Sequence, residues 1–154
     1  MKANPKLFQD ALTAVRTSIG GGALYLYAGT VPANADDALD MVNTHTELAI
    51  IEANGGPLAF DPPVGNVLSK AAADTWEGLI SFDGKEAASG TLTATFFRLC
   101  PSGDNGRAAG TGPRVQGTVG GAASAADLKL SNPALTANGT NKVGTAIFNL
   151  NLNN

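Results

Sequence analysis

The fold is decided by residues 91–100, which read Thr91-Leu92-Thr93-Ala94-Thr95-Phe96-Phe97-Arg98-Leu99-Cys100. Gly90 precedes the stretch and Pro101 follows it, and the side chains between them are mostly β-branched, aromatic or aliphatic, as in a β-strand. Because side chains alternate along a strand, one face carries Leu92, Ala94 and Phe96 and the other Thr91, Thr93, Thr95 and Phe97. The stretch predicts a central strand of an antiparallel sheet, with the core on the side of Leu92.

The composition favours one domain whose surface is suited to close contact. The chain has 154 residues, of which 44% are hydrophobic and only 15% charged, against about 25% charged in an average protein. A surface rich in Gly, Ala, Thr, Ser and Asn suits a protein that packs against neighbours. The net charge is −3 and no basic run is present, so we do not expect a nucleic-acid partner.

The N-terminal segment predicts one amphipathic helix. Asn4 is a suitable N-cap and Pro5 a suitable first helical residue, and the glycines at 20–22 end the helix. The apolar side chains recur every three or four residues, at Phe8, Leu12, Val15 and Ile19. Packing of this stripe on the sheet is favoured over docking on another subunit. We therefore expect a helix and glycine linker over 1–22 and a single β domain over 23–154.

No targeting or membrane segment is expected. Asp10 and Arg16 interrupt any apolar run that could act as a signal peptide. No apolar run approaches the roughly 18 residues of a membrane span. The sequence predicts a soluble protein made in the cytosol, without a membrane partner.

The rest of the chain reads as short strands separated by turns. The predicted strands are 23–27, 47–52, 75–81, 91–100, 114–119, 127–130 and 143–152, with a further edge piece at 58–60. Residues 28–40 predict a loop and residues 101–113 a flexible loop, and strand 75–81 is expected to form a hairpin with 91–100 across the link 83–90. The fold class is therefore mainly β, an antiparallel β-sandwich or jelly roll with one N-terminal helix.

The sequence carries no recognisable catalytic or cofactor motif, and no cofactor or metal is predicted. His45 is the only histidine and is interpreted as a surface residue of a loop. Cys100 is the only cysteine and is interpreted as an apolar filler at the end of a strand. The acids at 36, 37 and 40 could ligate calcium, but a solvated acidic loop is preferred.

Two further hypotheses remain open from the residues alone. Exposed aromatic side chains, with Trp76 and Tyr27 as the best candidates, could form a sugar-stacking platform. A pair of facing carboxylates could hydrolyse glycosidic bonds, although thirteen acids always allow some pair. Burial of the aromatic side chains in a core or at a subunit interface is the competing interpretation.

The order of several short motifs resembles a known family. The motifs are Tyr25-Leu26-Tyr27-Ala28-Gly29-Thr30-Val31-Pro32 with Ala35-Asp36, Glu47-Leu48-Ala49-Ile50-Ile51, Ala88-Ser89-Gly90-Thr91 with Phe96-Phe97-Arg98-Leu99, Gln116-Gly117-Thr118-Val119-Gly120, and Ala126-Asp127-Leu128-Lys129-Leu130. In this order, over about residues 23–152, they resemble small structural proteins of tailed bacteriophages. The N-terminal helix and the long stretch 33–46 depart from that pattern.

The resemblance implies a non-enzymatic virion protein, and the preferred interpretation is a capsid decoration (cement) protein on the outer surface of the head. Its partner would be the major capsid protein, and it would form a homo-oligomer or a symmetric array on the shell. A tail or baseplate component and a carbohydrate-binding module are the alternatives. The candidate partner contacts are Phe8, Leu12, Val15, Thr30, Pro32, Asp36 and Arg107.

Overall fold

The computed structural model describes residues 4–65, 67–84, 90–143 and 147–149. These residues form one helix, α1 (Pro5–Ile19), and eleven strands. The strands are β1 (Ala23–Ala28), β2 (Thr46–Ala53), β3 (Val67–Ser69), β4 (Trp76–Gly84), β5 (Thr91–Thr93), β6 (Phe96–Cys100), β7 (Val115–Gly121), β8 (Leu128–Leu130), β9 (Ala134–Thr136), β10 (Thr140–Val143) and β11 (Ile147–Asn149).

The strands form one large sheet and two small ones. The large sheet has seven strands in the order β10-β4-β2-β1-β6-β7-β8, and β3–β11 and β5–β9 form the small sheets. Apolar side chains of α1, β3 and β9 share one core with those of the large sheet, so the arrangement is layered like a sandwich. This confirms the predicted class, a mainly β, antiparallel-rich sandwich with one N-terminal helix.

Strand β1 lies at the middle of the large sheet and separates its two faces. Leu24 and Leu26 point into the shared core and are fully buried. Tyr25 and Tyr27 point to the opposite side, called the outer face below, where they belong to a second apolar cluster. The predicted alternation of β1 is therefore confirmed.

The stretch 91–100 is not one strand, which corrects the prediction. It divides into β5 and β6, because the Ala94 amide donates to the Pro133 carbonyl while the Thr95 amide donates to the Tyr27 carbonyl. The chain thus passes from the small β5–β9 sheet to the large sheet at this point, a change of sheet that sandwiches make at bends. The break also reverses the alternation of side chains.

The reversal moves Phe96 away from the core face on which it was predicted to lie. Phe96 packs on the outer face with Tyr27, whereas Phe97 and Leu99 continue the core. Strand β6 does occupy a central position, since it pairs with β1 on one side and β7 on the other.

The predicted hairpin between 75–81 and 91–100 is wrong. A strand does form at Trp76–Gly84, but its neighbours are β2 and β10. The predicted link over 83–90 does not begin at Asp83, because Asp83 and Gly84 are the last residues of this strand. The edge piece predicted at 58–60 is reduced to a single bridge from Phe60 to Lys70.

Strands β7 and β8 pair in parallel, although the link between them is short. Such pairs normally need a long crossover, so a local device has to hold the chain. Asp127 supplies it, because its carboxylate accepts from the Thr118 amide and hydroxyl, both at 2.8 Å. The Asp127 amide donates back to the same hydroxyl at 3.1 Å, which closes a reciprocal pair.

Helix α1 forms where it was predicted and closes the core at one side. The Asn4 side chain accepts from the Lys6 amide at 2.9 Å, and Pro5 begins the helix. Gly21 then takes a left-handed conformation, with φ of +83°. Gly22 has no room for a side chain, because a Cβ atom there would lie 1.7 Å from the Cys100 carbonyl oxygen.

Parts of two predictions lie outside the described residues. The link between β4 and β5 includes residues 85–89, and the closing strand predicted over 143–152 includes 144–146 and 150–152. Within the described part, Val143 ends β10 and Ile147–Asn149 pair with β3.

Candidate interaction surface

Two loops lie together on the outer face of the large sheet, and we call them the loop platform. The first loop, residues 29–45, connects β1 to β2, and the second, residues 101–114, connects β6 to β7. Leu39 of the first loop packs on Tyr27 and Phe96, whose rings stack with their centroids 5.0 Å apart. This second apolar cluster fixes the first loop to the sheet.

Arg98 of β6 fastens both loops at once. Its Nη1 donates to the carbonyl oxygens of Asp37, at 2.8 Å, and of Gly106, so one nitrogen reaches the first loop and the second. Its Nη2 donates to the Asn34 carbonyl at 3.2 Å, and its Nε to the Gln116 side chain at 2.9 Å.

The environment of Arg98 is unusual for a charged group. The residue is fully buried, and burial lowers the pKa of its guanidinium. Among the described residues no carboxylate lies within ion-pair distance of it, so backbone carbonyl groups and an amide replace water around the charge. A buried charge of this kind is stable only while these partners stay in place, so it couples the two loops.

Arg114 and Asp104 join the two ends of the second loop, just before β7 begins. The Arg114 Nε and Nη2 atoms bind the two Asp104 oxygens at 2.6 and 2.8 Å, a bidentate pair. This pairing lowers the pKa of Asp104 and raises that of Arg114. Arg114 Nη1 also donates to the Ala108 carbonyl at 2.9 Å. The loop that was predicted to be flexible is therefore anchored along its length.

Arg107 joins the second loop to β2 and β4. Its Nη2 lies 3.0 Å from a Glu47 oxygen and 2.6 Å from an Asp83 oxygen, and its Nε donates to Glu47 at 3.0 Å. The hydrogen bond with Glu47 is the main reason why the pKa of Arg107 is raised. Tyr27 contributes its hydroxyl, which donates to the Asn105 carbonyl at 3.0 Å.

His45 is buried, which corrects its interpretation as a surface residue. Its Nε2 lies 2.9 Å from the Thr30 carbonyl oxygen and its Nδ1 2.9 Å from the Thr44 hydroxyl. Because a carbonyl group can only accept, Nε2 carries a proton. The ring also packs edge-on against Phe96. His45 therefore holds the two ends of the first loop together.

The structure divides the predicted partner contacts into two groups on opposite sides of the large sheet. Thr30, Pro32, Asp36 and Arg107 belong to the loop platform, which brings them together. Thr30 and Asp36 are exposed, Pro32 is half-buried with its carbonyl accepting from Gln116, and Arg107 is 31% exposed at its side chain.

The other group belongs to α1 on the core side. Leu12 is buried in the shared core, Val15 is half-buried against it, and Phe8 is half-buried. Leu12 thus uses its apolar surface within the chain, as the favoured packing of the helix on the sheet predicts.

Sequence reasoning did not find the arginines that build the platform, apart from Arg107. One signal was present, since Arg98 stands alone among apolar residues in 96–100. A charge in a buried strand requires dedicated partners. The identity of those partners, at Asn34, Asp37 and Gly106, depends on how distant loops meet.

The two aromatic side chains that were the best candidates for sugar stacking are not accessible to a ligand. Trp76 and Tyr27 are both fully buried, so neither presents a ring face to solvent. Trp76 packs edge-on against Phe60 in the core. Core packing, the competing interpretation, is the correct one for these two residues.

Asp37 and Asp40, two of the three acidic residues of the first loop, act as local caps. Asp40 accepts from the Val42 and Asn43 amides, and Asp37 accepts from the Asn34 amide at 2.8 Å. Within the described ranges no group of three or more potential metal ligands is found. Glu47 and Asp83 are paired directly across β2 and β4, and Arg107 binds both carboxylates.

Cys100 has the predicted filler role. It is fully buried at the end of β6, and burial raises the pKa of its thiol to about 12. The thiolate is the reactive form of cysteine, so this site is inert at neutral pH.

Comparison with protein-family models, curated proteins and solved structures found no match to this chain. The resemblance to phage structural proteins therefore rests on the motifs alone and stays a prediction. In the part of the chain that the structure describes, no helix is both long and apolar enough to cross a bilayer.

Proposed function

We propose that this chain is a non-enzymatic structural protein of a tailed-phage virion, and that it decorates the outer surface of the capsid. The loop platform is its contact surface, and the major capsid protein is its partner. The single observation that carries the proposal is that hydrogen bonds from Arg98 fix two long loops against one face of the large sheet.

The loops of the platform are already held in place by hydrogen bonds. Few groups therefore lose conformational freedom when a partner binds. Side chains and loops that become fixed on association reduce affinity, and loops already fixed avoid much of this loss. The platform is held by buried or half-buried arginines at three points, Arg98, Arg107 and Arg114. It therefore presents one defined shape to a partner.

A shell multiplies modest contacts by symmetry. A decorating protein that touches neighbouring capsomers gains avidity without a large interface in any one place. A low content of charge, 15%, and a surface rich in small residues allow close approach to such a lattice. The copies would form a homo-oligomer or a symmetric array on the head.

The polar groups of the platform favour binding over catalysis. A catalytic acid or base has to be reachable by a substrate and positioned to exchange a proton with it. The buried carboxylate of Glu47, in the neighbouring strand β2, is bound by Arg107, and the carboxylate of Asp104 is bound by Arg114. Both carboxylates therefore serve to hold the loops in place.

The test is binding to capsid shells assembled without this protein. Purified protein is mixed with shells of the phage that encodes it, and bound copies and shell melting temperature are measured after sedimentation. We expect saturable binding, a raised melting temperature, and weaker binding of Val31→Asp, which changes an exposed platform residue. Val64→Asp is the matched control, because Val64 is exposed outside the platform.

A shell that neither binds the protein nor changes in stability contradicts decoration. Cryo-electron microscopy of the virion then decides between the remaining structural roles. Density in the tail or baseplate would support the tail component, and absence of density from the whole particle would reject a virion role.

A further inference from the structure

A row of apolar side chains crosses the outer face of the large sheet beside the loop platform. Tyr25 of β1 faces Ile50 of β2. The register between β2 and β4 pairs residue 49 with 80 and 52 with 77, which places Leu79 opposite Ile50. Leu79 is 59% and Ile50 39% exposed, although residues of this type are usually buried in a sheet.

An acidic row lies next to the apolar one. Glu52 of β2 is paired directly with Glu77 of β4, and like charges in such positions repel each other. The Nζ atom of Lys142 lies 3.2 Å from Oε2 of Glu77. Among the described residues, however, no cation lies within ion-pair distance of Glu52. The pair of carboxylates is thus only half neutralised.

A cavity of about 380 Å³ opens beside Glu52. Its walls are Tyr25, Glu52 and three stretches of the backbone at 21–23, 55–57 and 101–103. Most of those stretches are glycine or proline, so the backbone itself faces the cavity. Glu52 is the only acidic or basic side chain among the described lining residues, and the Tyr25 ring stands beside it.

We propose that this surface binds a short segment of a partner protein in which a lysine or arginine is flanked by aliphatic residues. The cation enters the cavity, where the Glu52 carboxylate accepts its hydrogen bonds and the Tyr25 ring contacts its stem. The flanking aliphatic side chains cover Ile50 and Leu79. This goes beyond the proposed function, since Glu52 and the apolar row lie outside the loop platform, which adjoins the cavity only at residues 101–103, and it holds whether or not the partner is a capsid protein.

Charge complementarity decides the class of occupant. A second cation would complete the neutralisation of Glu52 and Glu77 and remove their mutual repulsion. A small free amine would fill the cavity but leave the apolar row exposed to water. Only a segment that carries both chemistries satisfies the cavity and the row together.

The experiment is a fluorescence-anisotropy titration of the whole chain with labelled pentapeptides. Each peptide carries arginine or lysine at its centre and leucine or isoleucine on both sides. We expect saturable binding that weakens as salt is raised. Peptides with glutamate at the centre, or with serine in place of the aliphatic residues, should bind at least roughly tenfold more weakly.

Two surface variants test the assigned residues. Glu52→Gln should weaken binding about tenfold, because it removes a charge-assisted hydrogen bond. Leu79→Ser should weaken it roughly fivefold through lost apolar contact. The matched controls Asp10→Asn and Val64→Ser alter exposed residues elsewhere and should bind like the unchanged chain.

Three results would overturn the proposal. The first is failure of the cationic peptides to bind, and the second is unchanged binding by both Glu52→Gln and Leu79→Ser. The third is binding of agmatine alone as tightly as the peptides, which would assign the cavity to small cations. Shell binding is a separate measurement, so failure here leaves the proposed function standing, and the reverse also holds.

Discussion

At the scale of single residues, the arginines matter more than the aromatic side chains that first attract attention. A fully buried guanidinium is unfavourable unless its nitrogens have hydrogen-bond partners, and each of the three Arg98 nitrogens has one, from both loops and from Gln116 of β7. Removing one partner would leave a charge without compensation. Arg98 therefore ties the loops to the sheet, and its buried charge would destabilise the fold if the loops moved away.

The ion pair of Asp104 and Arg114 gives a prediction about pH. Because Arg114 lowers the folded-state pKa of Asp104, the pair stabilises the fold fully above the unfolded pKa of about 3.9. This stability is lost as pH falls through the lower folded value. Asp104→Asn should therefore cost about 1–3 kcal/mol at pH 7 and progressively less below pH 4. Urea unfolding followed by the fluorescence of Trp76 measures both values.

Asp10→Asn is the control for this pH series. Asp10 pairs with Lys6 on the exposed side of α1, and exposed pairs contribute little. Its loss should change stability by less than about 0.5 kcal/mol at either pH. A difference between Asp104→Asn and the unchanged chain that stays constant from pH 7 to pH 3 would contradict the role given to the pair.

The thiol of Cys100 should resist modification in the folded protein. With its pKa raised from 9.0 to about 12, the thiolate fraction falls roughly a thousandfold, and burial adds a steric barrier. Labelling with a disulfide reagent at pH 8 should be slow in buffer and fast in urea. Cys100→Ser should abolish labelling in both. Rapid labelling of the folded chain would show that β6 opens at its end.

At the scale of elements, the sequence predicted well what depends on neighbours along the chain. The helix at Pro5–Ile19 has its cap, its apolar stripe and its terminating glycines in one continuous segment. The side chains of strand β1 likewise alternate between the two faces as predicted. These features need no knowledge of distant residues, so local chemistry is sufficient to find them.

The break within 91–100 could not be predicted in this way. No glycine or proline marks it, and the residues on both sides favour a strand. The break arises because the Thr95 hydroxyl donates to the Gly29 carbonyl at 2.7 Å while Ala94 bonds to Pro133. Both partners are remote in sequence, so tertiary contacts decide where one strand becomes two.

The hairpin prediction was wrong, and the candidate surface was not found, for the same reason. Both depend on which distant strands become neighbours. Sequential strands are often paired, but β4 joins β2 and β10 instead. The two loops of the platform were predicted as loops, yet their meeting depends on β1 and β6 being neighbours. Composition locates loops, whereas topology determines which of them form a surface.

Helix α1 offers a matched pair of leucines. Leu12 is buried in the core and Leu7 is 55% exposed on the same helix. Leu12→Ala should lower the free energy of unfolding by about 2–5 kcal/mol, because it leaves a cavity. Leu7→Ala should lower it by less than about 0.5 kcal/mol. Urea unfolding of both variants is the measurement, and similar losses for the two would contradict the docking of the helix through Leu12.

At the scale of the whole molecule, one core unites elements that the sequence suggests are separate. Residues of α1, the large sheet and the small sheets contact one another in a single cluster. Arg16 adds a polar tie, since its Nε donates to the Phe60 carbonyl at 2.9 Å. The helix is therefore part of the fold and not an arm attached to it.

A shared core predicts that unfolding is a single cooperative event. The fluorescence of Trp76, which is buried against Phe60, reports on the core, while far-ultraviolet circular dichroism reports on helix and strands together. We expect both signals to change at the same urea concentration, as a small two-state domain requires. In Leu12→Ala the two midpoints should fall together, since loss of one helix contact weakens the whole core. Separate midpoints would mean that α1 leaves before the sheets unfold, and the helix would then be available to a partner.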